Sequence, residues 1–218
     1  MGGTHWTIFA NGEWCKHGLV KELCAASDVT VACDGALETC LQTNITPDLI
    51  IGDFDSVPQP LLNTYKQHGG KAIHEPSQER NDLQKALEYV MNNGAGSCTV
   101  IGATGGDPQH EWANLLACAA TDLDIVCHST KATFHFPSPR APYSIEIVPG
   151  QTFSLFALEE ARGIDLSGAR FNLAEDRLSL GSRGVHNVAQ GSSINLHYRS
   201  GRLMVLVPNV LSSEEGGA

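Results

Sequence analysis

The sequence predicts two domains of different fold class: an N-terminal α/β domain with a mostly parallel, Rossmann-like sheet, and a C-terminal all-β sandwich. Short apolar runs alternate with helical segments in the first part of the chain, and this alternation is typical of parallel βαβ units. A proline-rich stretch, residues 136–142, interrupts the pattern and excludes a helix there. Short β-prone runs separated by glycines follow. We therefore place the domains at residues 1–136 and 143–218.

In the first domain, each apolar run ends at a turn-forming or acidic residue. Strands are predicted over 7–10, 29–33, 49–51, 72–74, 97–101 and 124–128, and helices over 16–26, 36–41, 58–68 and 81–92. The helix over 81–92 has the clearest period, with Asn81 as its N-cap. One more helix follows residue 106, and its spacing predicts a core face formed by Trp112, Leu115, Leu116 and Ala119.

The second domain has the period-two alternation of half-buried antiparallel strands. Strands are predicted over 144–148, 152–158, 177–180, 193–198 and 203–207. Glycines lie between these runs, as expected for a small sandwich that would end near residue 210. The tail over 212–218 is predicted to fray.

The composition restricts the function. The net charge of −10, from 14 basic and 24 acidic residues, argues against binding long nucleic acid, which needs a cationic face. Seven cysteines without a C-x-x-C pair favour reduced, buried thiols. We see neither a signal peptide nor a run of about 18 apolar residues. We expect a soluble, cytoplasmic protein without a membrane partner.

The segment Gly52-Asp53-Phe54-Asp55 follows a buried apolar run. Ligands bind at the carboxyl ends of strands in open α/β sheets. In an extended segment, Asp53 and Asp55 would share one side and hold a hard cation between them. The alternative is a solvated acidic turn beside a glycine and a proline.

Other strand ends of the first domain converge on the same sheet edge. Five carboxylates are expected there: Asp34, Asp53, Asp55, Glu79 and Asp82. Because like charges repel, a cation should offset them, and Mg²⁺ shared with substrate phosphates suits oxygen ligands. The loop over 102–106 offers backbone N–H groups to phosphate oxygens. Together these features predict phosphoryl or diphosphoryl transfer. Asp82 and Asp34 are the candidates to polarise an acceptor hydroxyl.

These segments together resemble the thiamine pyrophosphokinase family over most of the chain. The matching pieces are Asp34-Gly35, the segment 47–56, the segment 81–87, Gly102-Ala-Thr-Gly-Gly106 with His110 and Asn114, and, in the β domain, the segments 168–173 and 184–187. The resemblance implies transfer of diphosphate from ATP to the hydroxyl of thiamine, with Mg²⁺ and release of AMP. It also implies a homodimer with the acceptor site between the two chains.

The resemblance assigns residue roles as well. The implied catalytic set is Asp34, Asp53, Asp55 and Asp82, and the implied metal ligands are Asp53, Asp55, Glu79 and Asp82. The implied nucleotide contacts are Gly102, Thr104, Gly105, Gly106, His110 and Asn114. The implied acceptor contacts are Phe171, His186 and Asn187. His110 and Asn114 have the alternative role of bracing the glycine loop, and Phe171 has the alternative of a core position.

The chain departs from the family pattern on both sides of the site. Residues 78–82 stand where the family usually has Lys-Asp-x-Thr-Asp. Asp107 and Gln109 stand where it has Arg and Asp, and Phe171 and His186 replace Trp and Ser. Two alternatives therefore remain beside the thiamine enzyme. One is a diphosphotransferase for another hydroxymethyl heterocycle, such as a pterin, and the other is a non-catalytic protein that binds nucleotides or thiamine derivatives.

Overall fold

The computed structural model describes residues 3–210, so the predicted fraying tail lies outside the described part. In the first half the strands are β1 Thr4–Phe9, β2 Val29–Cys33, β3 Leu49–Gly52, β4 Lys71–His74, β5 Ala95–Ile101, β6 Asp124–His128 and β7 Ala132–Phe136. The helices are α1 His17–Ala25, α2 Leu37–Gln42, α3 Gln59–Gln67, α4 Asp82–Asn92 and α5 Pro108–Ala119. Each predicted helix and strand of this half is present, and β7 is additional.

The second half consists of strands. They are β8 Tyr143–Glu146, β9 Thr152–Ser167, β10 Leu173–Leu178, β11 Asn187–Val188, β12 Ser193–His197 and β13 Ser200–Pro208. Within residues 3–210, no helix is long and apolar enough to cross a membrane.

The strands pair in the order β4-β3-β2-β1-β5-β6-β7-β13-β9-β12-β8. The first six are parallel to one another, whereas β7 pairs antiparallel with both β6 and β13. The strand order reverses at β1, which lies between β2 and β5. In open parallel sheets, ligands bind at such a switch point, outside the carboxyl ends of the strands.

The apolar pattern of the strands fills cores on both faces of the parallel sheet. Ile8 and Val31 face α4 and α5, and Phe9, Ala32 and Ile50 face the opposite layer with α1 to α3. A separate core lies within the C-terminal strands. Burial on both faces explains why these strands are continuously apolar, as parallel strands usually are.

Helix α4 follows the prediction closely. Leu83, Ala86, Leu87 and Val90 are buried, and the Asn81 side chain caps the helix by accepting from the backbone N–H of Gln84 at 2.8 Å. An N-cap of this kind stabilises a helix by about 1 kcal/mol. The cap fixes where α4 begins and therefore where Asp82 lies.

The predicted core face of α5 is wrong in part. Trp112 is 61% exposed and Leu116 is 53% exposed, whereas Leu115, Cys118 and Ala119 are buried. The helix carries apolar residues on several sides, so spacing alone did not identify the face that packs on the sheet. That face runs through positions 115, 118 and 119 and leaves Trp112 outside.

The sheet is continuous across the predicted boundary between the domains. Strand β7 pairs with β6 on one side and with β13 on the other. Strand β9 extends over 16 residues, well past the predicted end at Leu158, and it pairs with β10, β11, β12 and β13. The division into two domains remains a prediction, since the hydrogen bonding itself shows no break there.

Histidine burial predicts acid-sensitive stability. Burial lowers the pKa of His135 to about 4, and the nearby His128 adds to the shift. The unfolded chain binds this proton below about pH 6.5, whereas the folded chain does not bind it until about pH 4. The free energy of unfolding should therefore fall by about 2 kcal/mol from this group between pH 7 and pH 5.

Urea unfolding of the His135→Gln variant at both pH values checks this expectation. The variant should lose less stability than the wild type on acidification. His17→Gln, at an exposed position on α1, is the control and should lose as much as the wild type. An equal loss in wild type and His135→Gln would contradict the assignment.

Candidate active site

A polar cleft of about 510 Å³ lies where the predicted strand ends meet. It is lined by residues that follow β1, β2, β3 and β5 and by the start of α4 and α5. The lining residues with charged side chains are Asp53, Asp55, Arg80, Asp82, Lys85 and Asp107. Acidic groups therefore outnumber basic ones at the switch point of the sheet.

Asp34 is buried next to this cleft, between the lining residues Cys33 and Gly35. Its carboxylate is 1% exposed and accepts the backbone N–H of Phe54 at 2.8 Å and that of Gly35 at 2.6 Å. Burial and the nearby Asp82 carboxylate raise the pKa of Asp34 to about 6, against the opposing effect of these two hydrogen bonds. Asp34 thus ties the end of β3 to the end of β2.

The turn after β3 brings Asp53 and Asp55 together. Phe54, between them, has a φ of 66°, a left-handed conformation that is uncommon for a residue with a side chain. The backbone N–H of Asp55 donates to Asp53 Oδ1 at 3.1 Å. The predicted extended segment is therefore wrong, because the two carboxylates approach each other through a turn. Their predicted proximity is confirmed.

Three of the predicted carboxylates form a compact cluster. Asp34, Asp53 and Asp55 offer ligand oxygens that all lie within 4.8 Å of one another. Two oxygens on one Mg²⁺, each at about 2.1 Å, lie at most about 4.2 Å apart. The residues therefore fit this ion if a side chain rotates slightly or a water bridges the widest pair. Asp55 is exposed and Asp53 partly so, which leaves room for waters and phosphate oxygens.

Asp82 lines the same cleft but lies outside that cluster, because it pairs with a buried lysine. Lys85 Nζ donates to Asp82 Oδ1 at 3.0 Å, and the lysine side chain is 2% exposed. Burial alone would lower the pKa of Lys85, but the Asp82 bond and the charges of Asp82, Asp53 and Asp34 raise it above the ordinary value. Lys85 is thus a buried cation beside three carboxylates.

Sequence reasoning missed Lys85 as a site residue. A signal was present, since Lys85 lies three residues after Asp82, on the buried side of α4. Gln78, which also lines the cleft, was missed as well. Gln78 Nε2 donates to Asp53 Oδ2 at 2.8 Å and, after the backbone N–H of Asp55, is a cause of the lowered pKa of Asp53. Glu79, by contrast, is exposed and does not line the cleft.

The glycine loop closes the opposite side of the cleft. Gly102, Gly105 and Gly106 all have positive φ, and a Cβ on Gly102 would lie 2.4 Å from the carbonyl oxygen of Ala10. Thr104 is buried, and neither it nor Gly102 lines the cleft, whereas Gly105 and Gly106 do. The backbone N–H of Gly105 donates to Glu111 Oε2 at 3.0 Å, so this predicted phosphate donor is already bonded.

His110 and Asn114 both line the cleft. Asn114 also braces the loop, because its Nδ2 donates to the Ala103 carbonyl at 2.9 Å and its Oδ1 accepts from Asn81 Nδ2 at 3.0 Å. This amide chain links the start of α4 to the glycine loop across the cleft. His110 is exposed and faces the same space.

A second, more apolar pocket of about 440 Å³ lies in the C-terminal half. Phe171 is at its edge and is 63% exposed, so the core alternative for this ring is wrong. Asn187 is buried and fixes the backbone of Phe171, accepting its N–H at 3.0 Å and donating to its carbonyl at 2.8 Å. Asn187 therefore fixes the backbone that presents the exposed Phe171 ring.

His186 is exposed and does not line that pocket. Its φ is 59°, and its backbone N–H donates to Ser154 Oγ at 3.2 Å. The structure thus places Phe171 and Asn187 together and His186 beside them.

Comparison with known proteins agrees with this geometry. The family described as thiamin pyrophosphokinase, catalytic domain, matches residues 20–127, which contain the acidic cluster and the glycine loop. A rice protein named thiamine pyrophosphokinase 1 is 24% identical over 163 residues, or 69% of this chain and 62% of its own length. Arabidopsis thiamine pyrophosphokinase 2 is 33% identical over 82 residues. The matches span less than two thirds of either relative.

A solved structure extends the likeness to the fold of nearly the whole chain. The thiamine pyrophosphokinase of Bacillus subtilis superimposes with a TM-score of 0.77 at 20% identity, over 95% of this chain and 100% of that one. At 20% identity, this similarity shows only a shared fold. The family match covers the segment that carries the acidic cleft. Residues 20–127 are thus the part of this chain that matches the thiamin pyrophosphokinase family.

Proposed function

We propose that the protein is a thiamine pyrophosphokinase, a transferase that moves the diphosphate of ATP to the hydroxyl of thiamine and releases AMP. The observation that carries this proposal is the carboxylate cluster of Asp34, Asp53 and Asp55, in which Asp53 and Asp55 line the same cleft as the loop glycines Gly105 and Gly106. Phosphoryl transfer requires positioning of the reactants and neutralisation of charge rather than elaborate covalent chemistry. The cleft supplies carboxylates for a charge-neutralising cation and loop glycines for positioning. Both lie within the segment that matches the family model.

Asp53 and Asp55 are the residues that would hold Mg²⁺, with Asp34 behind them. When bound, Mg²⁺ would neutralise phosphate oxygens and withdraw charge from the transferred group. The donor set consists of carboxylate oxygens, which this ion prefers. Gln78 orients Asp53 through its hydrogen bond, and Asp34 keeps the turn in place.

Other residues of the cleft would position the acceptor and its proton. Asp82, at the start of α4, is the carboxylate available to orient the acceptor hydroxyl, and its ion pair with Lys85 holds the side chain in place. His110 and the loop glycines Gly105 and Gly106 would contact the nucleotide. Asn114 would set the distance between the loop and α4.

The acceptor would bind between two copies of the chain. Phe171 presents an exposed ring that can stack on a heteroaromatic acceptor, with Asn187 holding it in place. The Phe171 pocket and the acidic cleft share no lining residue. This separation supports a homodimer in which one copy supplies the ring and the other supplies the cleft. We place the protein in the cytoplasm as part of this proposal.

Incubation with ATP, Mg²⁺ and thiamine tests the function directly. Equal amounts of AMP and thiamine diphosphate are expected, measured by chromatography. AMP that forms only with a pterin alcohol would indicate another acceptor. Nucleotide binding without any transfer would indicate a non-catalytic protein, and either result would contradict the proposal.

Asp53→Asn and Asp55→Asn should each lower kcat by about 100-fold or more, because an amide binds Mg²⁺ less well and neutralises less charge. Thermal unfolding should change little, since both side chains are partly or fully exposed. Glu22→Gln removes an exposed carboxylate from α1 and serves as the matched control. Full activity in either aspartate variant would remove that residue from the metal site.

Phe171→Ala should raise the KM for the acceptor several-fold, because a stacked aromatic pair contributes about 0.5–1.5 kcal/mol. The KM for ATP should stay the same. Leu180→Ala is the control, since Leu180 is an exposed apolar side chain of the same half, at 77%, outside the Phe171 pocket. An unchanged acceptor KM in Phe171→Ala would show that the ring does not contact the acceptor.

A further inference from the structure

The geometry points to Arg80 as the cation that binds the polyphosphate of the nucleotide, an inference that rests on the proposed function. Among the residues that line the cleft, Arg80 and Lys85 are the arginine and lysine side chains, against four aspartates. A bound polyphosphate adds further negative charge to this space. The identity of the cation that meets it therefore matters for binding.

Lys85 is poorly placed for that role. Its side chain is 2% exposed, and its ammonium is bonded to Asp82 and surrounded by further carboxylates. Releasing it would leave Asp82 without its partner beside Asp34. Removing one member of a buried pair is costly, because the other charge is left uncompensated.

The glycine loop does not supply a cation either. Asp107 follows Gly106, and its carboxylate caps α5 by accepting the backbone N–H of Gln109 at 2.8 Å. The N–H of Gly105 is bonded to Glu111. The loop side of the cleft thus presents a carboxylate and a backbone N–H that is already bonded. The positive charge that meets the polyphosphate must therefore come from the α4 side, where Arg80 lies.

Arg80 is held in a way that permits release. It directly precedes the N-cap Asn81, and its guanidinium pairs with Glu88 and, at 3.7 Å, with Glu75. The three side chains are 32%, 37% and 38% exposed. Ion pairs in such solvated positions contribute little to stability, so exchange of Glu75 and Glu88 for phosphate oxygens costs little. The planar guanidinium matches phosphate with two parallel hydrogen bonds.

Variants of Arg80 and of its ion-pair partner Glu88 test this inference. If Arg80 binds phosphate, Arg80→Ala should weaken binding of the Mg²⁺ complex of a non-hydrolysable ATP analogue by about tenfold, measured by calorimetry. Adenosine, which lacks phosphates, should bind both forms equally. Arg80→Lys should recover part of the loss, because it keeps the positive charge but cannot donate two parallel hydrogen bonds to phosphate. Glu88→Gln should bind the analogue as well as the wild type or better, since it frees the guanidinium.

A purely structural role gives a different pattern. If Arg80 only braces α4 through Glu88, then Arg80→Ala and Glu88→Gln should lose the same amount of binding and of thermal stability. That result would overturn the inference, as would wild-type binding by Arg80→Ala. If the wild type binds the analogue but transfers nothing from ATP, the proposed function fails while the binding comparison still decides the role of Arg80. No binding by the wild type would overturn both.

Discussion

The close approach of Gly52 to Asp34 is the constraint on which the site depends. A Cβ at position 52 would lie 2.5 Å from the carboxyl carbon of Asp34, so only glycine allows the two strand ends to meet this closely. The approach lets the buried carboxylate accept the N–H of Phe54 and hold that residue in its left-handed conformation. Backbone strain of this kind persists only where the surroundings impose it. The turn then directs Asp53 and Asp55 into the cleft.

Charge balance follows from the same arrangement. Carboxylates that repel one another are concentrated in and beside the cleft, and burial together with the nearby Asp82 carboxylate raises the pKa of Asp34. Lys85 offsets part of the charge from within the core, and a divalent cation would offset more of it. The remaining cation, Arg80, lies at the solvated edge. A buried cation thus maintains the site, whereas a solvated one is free to respond to a ligand.

The elements that could be predicted from the sequence are those set by local chemistry. Helix α4 combines a capping residue with a regular apolar period, and the strand ends are marked by glycine or aspartate. Other features depend on tertiary contacts. The exposed side of α5 could not be predicted from the sequence, because Trp112 and Leu116 are apolar but exposed. The length of β9 was hidden by the polar residues that follow Leu158, and the conformation of Phe54 has no sequence signal.

In the candidate site, too, some residues could be predicted from the sequence and others depend on tertiary contacts. Asp34, Asp53 and Asp55 meet as predicted because the carboxyl ends of parallel strands share one edge of the sheet. Lys85 was missed because a lysine on a helix is usually solvated, and its burial arises from the packing of α4 against β2 and β3. Glu79 was expected in the cluster by its position in the chain, yet the neighbouring Gln78 contacts Asp53 instead. Side-chain direction in a loop cannot be derived from spacing.

The most direct test of the central claim is the position of a bound divalent ion. Crystals grown with Mn²⁺ and a non-hydrolysable ATP analogue, measured at a wavelength where manganese scatters anomalously, locate the ion without reference to activity. We expect an anomalous peak about 2.1–2.2 Å from carboxylate oxygens of Asp53 and Asp55, in contact with phosphate oxygens of the analogue. A bound analogue with no peak beside these two carboxylates, or with the ion held elsewhere, would contradict it.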